Sequence, residues 1–232
     1  MVLPLLLNID TATEYASVCI NDNENIIGIE KSADQKNHAS FIQPAIKKLF
    51  HSARRQLSDV DAIVVTAGPG SYTGLRVGLA TAKGLCYALN KPLILLNTLE
   101  VMAQVSLSEM INDNRETANC FFCPMIDARR MEVFTAMYNN KLECILKPAA
   151  VILDENIFNK YLSDHTVLFS GSGSFKYEKI LHHSNAIFLN VQHNAADMVI
   201  LSVKAFGNKH FADIAYSEPF YLKEFFTPVR KV

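Results

Sequence analysis

Apolar and polar positions follow two periods along the first half of the chain, one typical of strands and one typical of helices. Short apolar and β-branched runs predict strands, and these lie at 3–10, 16–21, 25–31, 61–67 and 92–96. Apolar residues at helical spacing predict helices, and these lie at 37–52, 72–89 and 98–111. The predicted order of elements is therefore βββαβαβα.

The same order recurs after a polar stretch at 112–119. Strands are predicted at 121–127, 132–138, 142–149, 167–169 and 186–189, and helices at 154–162, 174–181 and 195–207. A three-stranded meander followed by crossover helices, present twice, predicts an α/β protein with the actin-like ATPase fold, in which a ribonuclease-H-like lobe is duplicated. We expect the first lobe over 1–105, joined by the terminal segment 216–232, and the second over 106–215.

Composition narrows the classes of function. Half of the 232 residues are hydrophobic and 19% are charged, against roughly 25% in an average domain, which predicts apolar surface for a partner. A formal net charge of -1 is far from the basic footprint of a nucleic-acid-binding domain, so RNA is expected to be reached only through a complex. Five cysteines are an odd number for a disulfide framework. Without an apolar run of transmembrane length, the chain is expected in the cytoplasm.

The turn after the first predicted strand is a candidate nucleotide site. It reads Asp10-Thr11-Ala12-Thr13, and a carboxylate with hydroxyls on a turn is able to hold the metal and phosphates of a nucleotide. The same residues also close ordinary hairpin turns. If the lobes are pseudo-symmetric, Asp127 faces Asp10, and a loop with Gly171 and Gly173 lies beneath the base. The sequence therefore leaves two interpretations open: a vestigial site, or an active ATPase or small-molecule kinase that uses Asp10 and the 171–173 loop.

A glycine-rich segment at 68–78 connects a predicted strand to a predicted helix. It lacks the lysine that a Walker loop places after its last glycine. A dinucleotide-binding fingerprint requires glycine where Thr73 stands and an acid where Asn97 stands. The spacing of four between Gly74, Gly78 and Ala82 instead forms a ridge almost without side chains. Because the rest of this helix is apolar nearly all round, we expect the ridge to lie against a helix of another subunit.

The predicted partner interface combines the apolar faces of helices 37–52 and 72–89, and the same faces are expected to pair two copies of the chain. Its residues are Phe41, Ile42, Ala45, Ile46, Leu49, Gly74, Leu75, Arg76, Gly78, Leu79, Ala82 and Leu85.

These motifs, together with segments 9–13, 126–129, 171–173 and 219–223, resemble the TsaB (YeaZ) family, and the block at 68–78 is the most specific of them. The resemblance implies a cytoplasmic, actin-like member of the glycoprotease (M22-like) group that does not itself catalyse a reaction. It implies a partner, the enzyme TsaD, which transfers a threonylcarbamoyl group to the adenosine next to the anticodon of tRNA. TsaE is implied in a ternary complex, a homodimer is implied for the chain alone, and tRNA is reached only through the complex.

The resemblance also implies that a metal site has been lost. TsaD-type enzymes carry Asn-His-x-x-x-His on the helix that begins at Asn97 here, whereas this chain has Thr98 and Met102 at the two histidine positions. A hydroxyl and a thioether are poor substitutes for two imidazoles. The expectation is therefore no catalytic residue, no metal and no cofactor, with weak residual nucleotide binding left open.

Overall fold

A computed structural model describes residues 4–32 and 38–223, and within them the chain forms two five-stranded sheets. The first sheet has the order β3-β2-β1-β4-β5. Its strands are β1 (Leu5–Asp10), β2 (Ala16–Asp22), β3 (Asn25–Ser32), β4 (Ala62–Gly68) and β5 (Leu93–Asn97). β1 to β3 form an antiparallel meander, and β4 and β5 run parallel to β1.

Helices α1 (His38–Ala53) and α2 (Tyr72–Leu89) lie next to each other and bury their apolar faces in the core of the first sheet. α2 begins where the Ser71 side chain accepts a hydrogen bond from the backbone N–H of Gly74, which is a standard N-cap. It ends at Asn90, whose left-handed backbone (φ 53°) is typical of a helix C-terminus.

The second sheet repeats this topology with the order β10-β9-β6-β7-β8. Its strands are β6 (Cys120–Asp127), β7 (Glu132–Tyr138), β8 (Cys144–Ile152), β9 (Thr166–Ser170) and β10 (Ala186–Leu189). Read from the other edge, this order is β8-β7-β6-β9-β10. The three meander strands come first, from third to first, and the two parallel strands follow, as in the first sheet. The predicted duplication of a ribonuclease-H-like lobe is therefore confirmed.

Two predicted helices of the second lobe are shorter than expected, and a third is divided. α4 (Asn159–Leu162) starts late because the Asp154 side chain accepts from the N–H of Asn156 and holds a turn there. α5 (Ser174–Tyr177) is a single turn. The last helix is divided into a 3₁₀ turn, Ala195–Met198, and α6 (Val199–Gly207), with Asn194 and Asp197 forming a capping box at the start.

Two helices join the lobes to each other. α3 (Thr98–Asn112) lies between the sheets, with Leu99 and Leu107 in the core of the second and Val101 in the core of the first. The 3₁₀ turn and α6, although they follow the second sheet in sequence, pack on β1 and β5 of the first. The predicted division of the chain into 1–105 and 106–215 is therefore corrected. α3 crosses the boundary between 105 and 106, and α6, predicted to belong to the second lobe, packs on the first sheet.

After α6 the chain runs back along the first sheet. The N–H of Ala212 donates to the carbonyl of Leu93 at 2.8 Å, and that of Phe220 donates to the carbonyl of Ala67 at 2.7 Å. Lys223 then reaches Glu132 on β7. Residues 224–232 of the predicted terminal segment lie outside the described residues. Of the helices described, none has both the length and the apolarity of a membrane span.

Candidate functional site

The β1–β2 turn is seated on the glycine-rich segment and the first turn of α2. The Thr11 hydroxyl donates to the carbonyl of Gly74 at 2.7 Å, and the N–H of Ser71 donates to the carbonyl of Ala12 at 2.7 Å. Thr11 and Ala12 are fully buried, and Thr13 beside them is half-buried. Because N–H groups at this helix end already bond to Ala12 and Ser71, the anion-binding capacity of the N-terminus is met partly by the protein itself.

The glycines on α2 are required by this turn. A Cβ added to Gly74 would lie 2.1 Å from the Thr11 carbonyl oxygen, and one added to Gly78 would lie 2.3 Å from the Thr11 hydroxyl oxygen. Ala82 is fully buried in the same core. The ridge therefore allows the β1–β2 turn of the same chain to approach α2 closely. This corrects the expectation that the ridge contacts a helix of another subunit.

Most of the remaining residues of the predicted partner interface also need correction. α1 and α2 lie on the sheet, so their apolar faces point into the first lobe and are not available to a partner. The side chains buried there are Ile42, Ala45, Ile46, Leu49, Leu75 and Leu79. Phe41 and Leu85 are half-buried against the same core, and Arg76 is exposed.

Arg76 contacts the segment that returns from α6. Its Nε donates to the Tyr221 hydroxyl at 3.0 Å, and its guanidinium lies 4.1 Å from the centroid of the Tyr72 ring. The rings of Tyr72 and Tyr221 are 5.2 Å apart. A Cβ on Gly68 would lie 2.5 Å from the Phe220 carbonyl oxygen. The motif at 219–223 thus covers the glycine-rich segment, a role that its sequence alone did not indicate.

Asp10 is almost completely buried, and both of its carboxylate oxygens face protein groups. One oxygen accepts from the Thr66 hydroxyl at 2.7 Å and from the N–H of Ala12 at 3.1 Å. The other lies 3.3 Å from Nε2 of His193, at ion-pair distance but without hydrogen-bond geometry. His193 is itself 3% exposed. A metal or phosphate at Asp10 would therefore have to displace protein partners.

His193 was not among the predicted site residues. It lies in the connection before the 3₁₀ turn, which begins with the Asn194–Asp197 capping box. The adjacent N–H of Ala195 donates to the Ser17 hydroxyl at 2.8 Å, which fixes this connection on β2. Burial raises the pKa of Asp197 above its ordinary value.

Asp127, the expected counterpart of Asp10, is half-exposed and bonded to Lys176. Lys176 Nζ lies 2.8 Å from its carboxylate, and the N–H of Arg129 donates to the same oxygen at 2.7 Å. Burial raises the pKa of Asp127, but the hydrogen bonds from Lys176 and Arg129 outweigh this, so its pKa is lowered. In the described residues no hydrogen bond or ion pair joins Asp127 to Asp10.

The 171–173 loop is packed, not open. Gly171 has a positive φ of 85°, and a Cβ on it would lie 2.2 Å from Met102 Cε and 2.6 Å from the Met125 carbonyl oxygen. A Cβ on Gly173 would lie 2.7 Å from Val133 Cγ1. Both glycines are therefore explained by contacts with α3, β6 and β7.

The two positions expected to have lost metal ligands are buried in α3. Met102 packs against Gly171, and Thr98 is fully buried with a hydroxyl oxygen that makes no hydrogen bond. Within 4–32 and 38–223, no three His, Cys, Asp or Glu side chains are grouped closely enough to hold a metal ion. A threonine and a thioether do not fit the metal of a TsaD-type site.

The duplicated sheet order and the polar turn that ends the first strand of each lobe define an actin-like, ribonuclease-H-like protein. A solved Pseudomonas aeruginosa structure, described as similar to peptidase YEAZ, shares this fold. It has a TM-score of 0.82 and 24% identity, with 95% of this chain and 100% of that one covered.

Sequence comparison extends the likeness. The chain is 28% identical to the tRNA threonylcarbamoyladenosine biosynthesis protein TsaB of Bacillus subtilis, covering 94% of this chain and 93% of the relative. It is 27% identical to the TsaB protein of Escherichia coli, covering 94% of each. The family model TsaD: tRNA N6-adenosine threonylcarbamoyltransferase matches residues 16–226. The chain therefore belongs to this TsaD family and, within it, to the TsaB (YeaZ) group.

We predict that Gly74→Ala lowers the free energy of unfolding by roughly 1–3 kcal/mol, because the new Cβ meets the Thr11 backbone and the turn must shift. Gly84→Ala in the same helix is the matched control. A Cβ there meets nothing within 4 Å, so the better helix propensity of alanine is expected to add roughly 0.5–1 kcal/mol. Urea unfolding of both variants measures the difference, and equal stability would contradict the seated turn.

A double-mutant cycle tests the contact between Asp10 and His193. We expect Asp10→Ala and His193→Ala each to cost about 1–3 kcal/mol, because each leaves a buried polar group without its neighbour. The double variant should cost less than the sum, with a coupling of about 1 kcal/mol or more. Additive losses in chemical denaturation would show that the two side chains do not interact.

Proposed function

We propose that this chain is a non-catalytic subunit that supports a TsaD-type enzyme in the threonylcarbamoylation of the adenosine next to the anticodon of tRNA. The reaction is suggested by the family model and by the relatives named for threonylcarbamoyladenosine biosynthesis. One observation carries the non-catalytic role. The family resemblance places Thr98 and Met102 where TsaD-type enzymes have their metal-binding histidines, and in the structure both side chains are buried.

The surroundings of the vestigial nucleotide site support the same proposal. An active ATPase or small-molecule kinase needs a carboxylate that is free to hold a nucleotide's metal. Here Asp10 faces Thr66 and His193, Asp127 faces Lys176, and the 171–173 loop is packed against α3. The proposed subunit accordingly has no cofactor of its own, and ATP turnover belongs to TsaE in the ternary complex.

The proposed contact with TsaD is the outward face of α2, opposite the buried apolar face. Ala80, Gly84 and Ala88 are exposed and lie one helical turn apart, so a partner helix is able to approach closely. Beside them Tyr87 is 86% exposed, which is unusual for a large aromatic side chain. Exposed aromatic residues frequently anchor interfaces. α1 packs beside α2, and its exposed side, with Gln43 and Lys47, is proposed as the polar rim of this surface.

The same outward face is proposed to pair two copies of the chain when TsaD is absent. In the complex that face is occupied by TsaD, so homodimer and heterodimer exclude each other. The proposed assembly works in the cytoplasm, where its tRNA substrate and TsaE are found.

Reconstitution tests the function. The purified chain is mixed with its cognate TsaD, and mass is recorded by light scattering with and without TsaE and ATP. We expect a defined heteromer that modifies tRNA only when this chain is present, and no ATP hydrolysis by this chain alone. ATP turnover by the isolated chain that Asp10→Asn abolishes, together with no association with TsaD, would support the kinase-like alternative instead.

Gly84→Arg tests the interface without disturbing the fold, since the substituted side chain starts in open space. We expect association with TsaD to weaken about tenfold or more, equivalent to about 1.4 kcal/mol, because arginine prevents close helix approach. Gly207→Arg at the end of α6 is the matched control, since its Cβ also meets nothing within 4 Å. Light scattering and titration calorimetry of both variants measure this, and equal affinities would place the interface elsewhere.

A further inference from the structure

The β6–β7 hairpin carries two consecutive arginines in a backbone conformation that large side chains avoid. Arg129 has φ 70° and Arg130 has φ 49°. Glycine and asparagine are the usual residues in this left-handed region, since a Cβ with a long side chain is crowded there. The arginines therefore destabilise the turn in which they occur, and strained residues of this kind concentrate at functional sites.

Neighbouring groups, not the arginine side chains, hold this conformation. The Asp127 carboxylate accepts from the N–H of Arg129 at 2.7 Å, and Lys176 Nζ donates to the Arg130 carbonyl at 2.8 Å. The hairpin closes with the N–H of Ala128 donating to the carbonyl of Glu132. The backbone is thus fixed while both guanidinium groups remain exposed.

Two other basic residues with positive φ lie in a common structural context, the end of a helix. Arg54 (φ 52°) follows α1, and Lys209 (φ 56°) lies just after α6. A single left-handed residue after a helix is a common way to end it. In the hairpin, two successive positive φ values are usual for a tight turn, but asparagine and glycine normally occupy them, so the unusual feature is the pair of arginines.

The charges around the hairpin do not balance. Asp127 is paired with Lys176 at 2.8 Å, and Glu132 is paired with Lys223. Neither Arg129 nor Arg130 has an ion-pair partner among residues 4–32 and 38–223. In the described part of a chain whose net charge is -1, two exposed positive charges therefore lack an ion-pair partner.

Both arginines line an open surface cavity of about 820 Å³. The rest of its described lining is Ala128, Met131, Glu132, Ile152 and Lys223. Met131 and Ile152 offer no side-chain donors, and Lys223 is already paired with Glu132, so the unpaired donors of this groove are the guanidinium groups. Guanidinium groups match phosphate oxygens in a two-pronged geometry, and phosphate contacts need no base-specific donors.

We propose that the Arg129–Arg130 hairpin binds the phosphate backbone of tRNA in the assembled complex, so that this chain contacts the substrate directly. The inference rests on the proposed function, which brings tRNA to the complex. An acidic protein surface is the competing occupant. Among the described lining residues the other two charged groups, Glu132 and Lys223, are paired with each other, so the lining keeps the net positive charge of the two arginines. Charge alone is sufficient for a phosphate backbone, which the arginines contact without reading a base.

The test uses the double variant Arg129→Asn/Arg130→Gly in the complex with TsaD. Both substitutions suit a positive φ, so the variant should be folded and should melt at a higher temperature than the natural chain. We expect its affinity for a tRNA transcript carrying the target adenosine to fall roughly tenfold at low salt. The slope of log affinity against log salt should decrease by about 1.5 for two lost phosphate contacts.

The matched control is Arg54→Asn/Lys209→Gly, which removes two exposed cations at positive φ elsewhere on the chain. It should leave both tRNA affinity and the salt slope unchanged. Equal effects of the two double variants, or no effect of the hairpin variant, would overturn the inference while the reconstitution result stands. Loss of TsaD association in the hairpin variant alone would assign the arginines to a protein partner and also overturn it.

If the natural chain does not associate with TsaD, the proposed function fails separately. The same salt titration of the isolated chain and its two double variants with the tRNA transcript then decides the inference. A salt slope that decreases only in the hairpin variant supports the inference. Equal slopes for the natural chain and both double variants overturn it.

Discussion

The first lobe depends on one contact, the seating of the β1–β2 turn in a cradle of glycines. Thr11 and Ala12 are buried, and the carbonyl oxygens of the turn lie where a Cβ at Gly70 or Gly74 would have to be. This contact determines how closely α2 approaches β1, and hence how α1 and α2 cover the sheet. It also satisfies part of the N-terminus of α2 with protein groups. A segment that resembles a phosphate loop is thereby converted into a packing element.

The second lobe is tied to this arrangement through the end of β1. Asp10 faces His193, which belongs to the connection leading from β10 to the helices that pack on the first sheet. A buried carboxylate next to a buried imidazole is stable only while both are held in place, so this contact favours a single relative arrangement of strand and connection. With α3 placed between the sheets, the lobes share their cores and are expected to unfold together.

These constraints explain how a fold known from enzymes is able to serve as a scaffold, which is the role proposed for this chain. The residues that would hold metal and nucleotide in an active relative are used here for packing or for internal ion pairs. The fold still presents the outward face of α2 on the first lobe and the Arg129–Arg130 hairpin on the second. In this interpretation, the chain supplies surfaces to an assembly whose chemistry takes place in another subunit.

The sequence by itself determined the order of elements and the duplicated topology, because strand and helix periods are local properties. Its bounds for α2, β7 and β10 agree with the structure, and the resemblance carried by segment 68–78 identified the family. Only the tertiary structure decided what each apolar face covers. The ridge of Gly74 and Gly78 showed that something approaches closely, but a pattern does not distinguish a partner helix from the chain's own Thr11. The same holds for three other features: the contact of His193 with Asp10, the packing of α3 and α6 on the cores, and the ion pair of Asp127. Each depends on contacts between residues far apart in sequence, and a linear pattern carries no signal for such contacts.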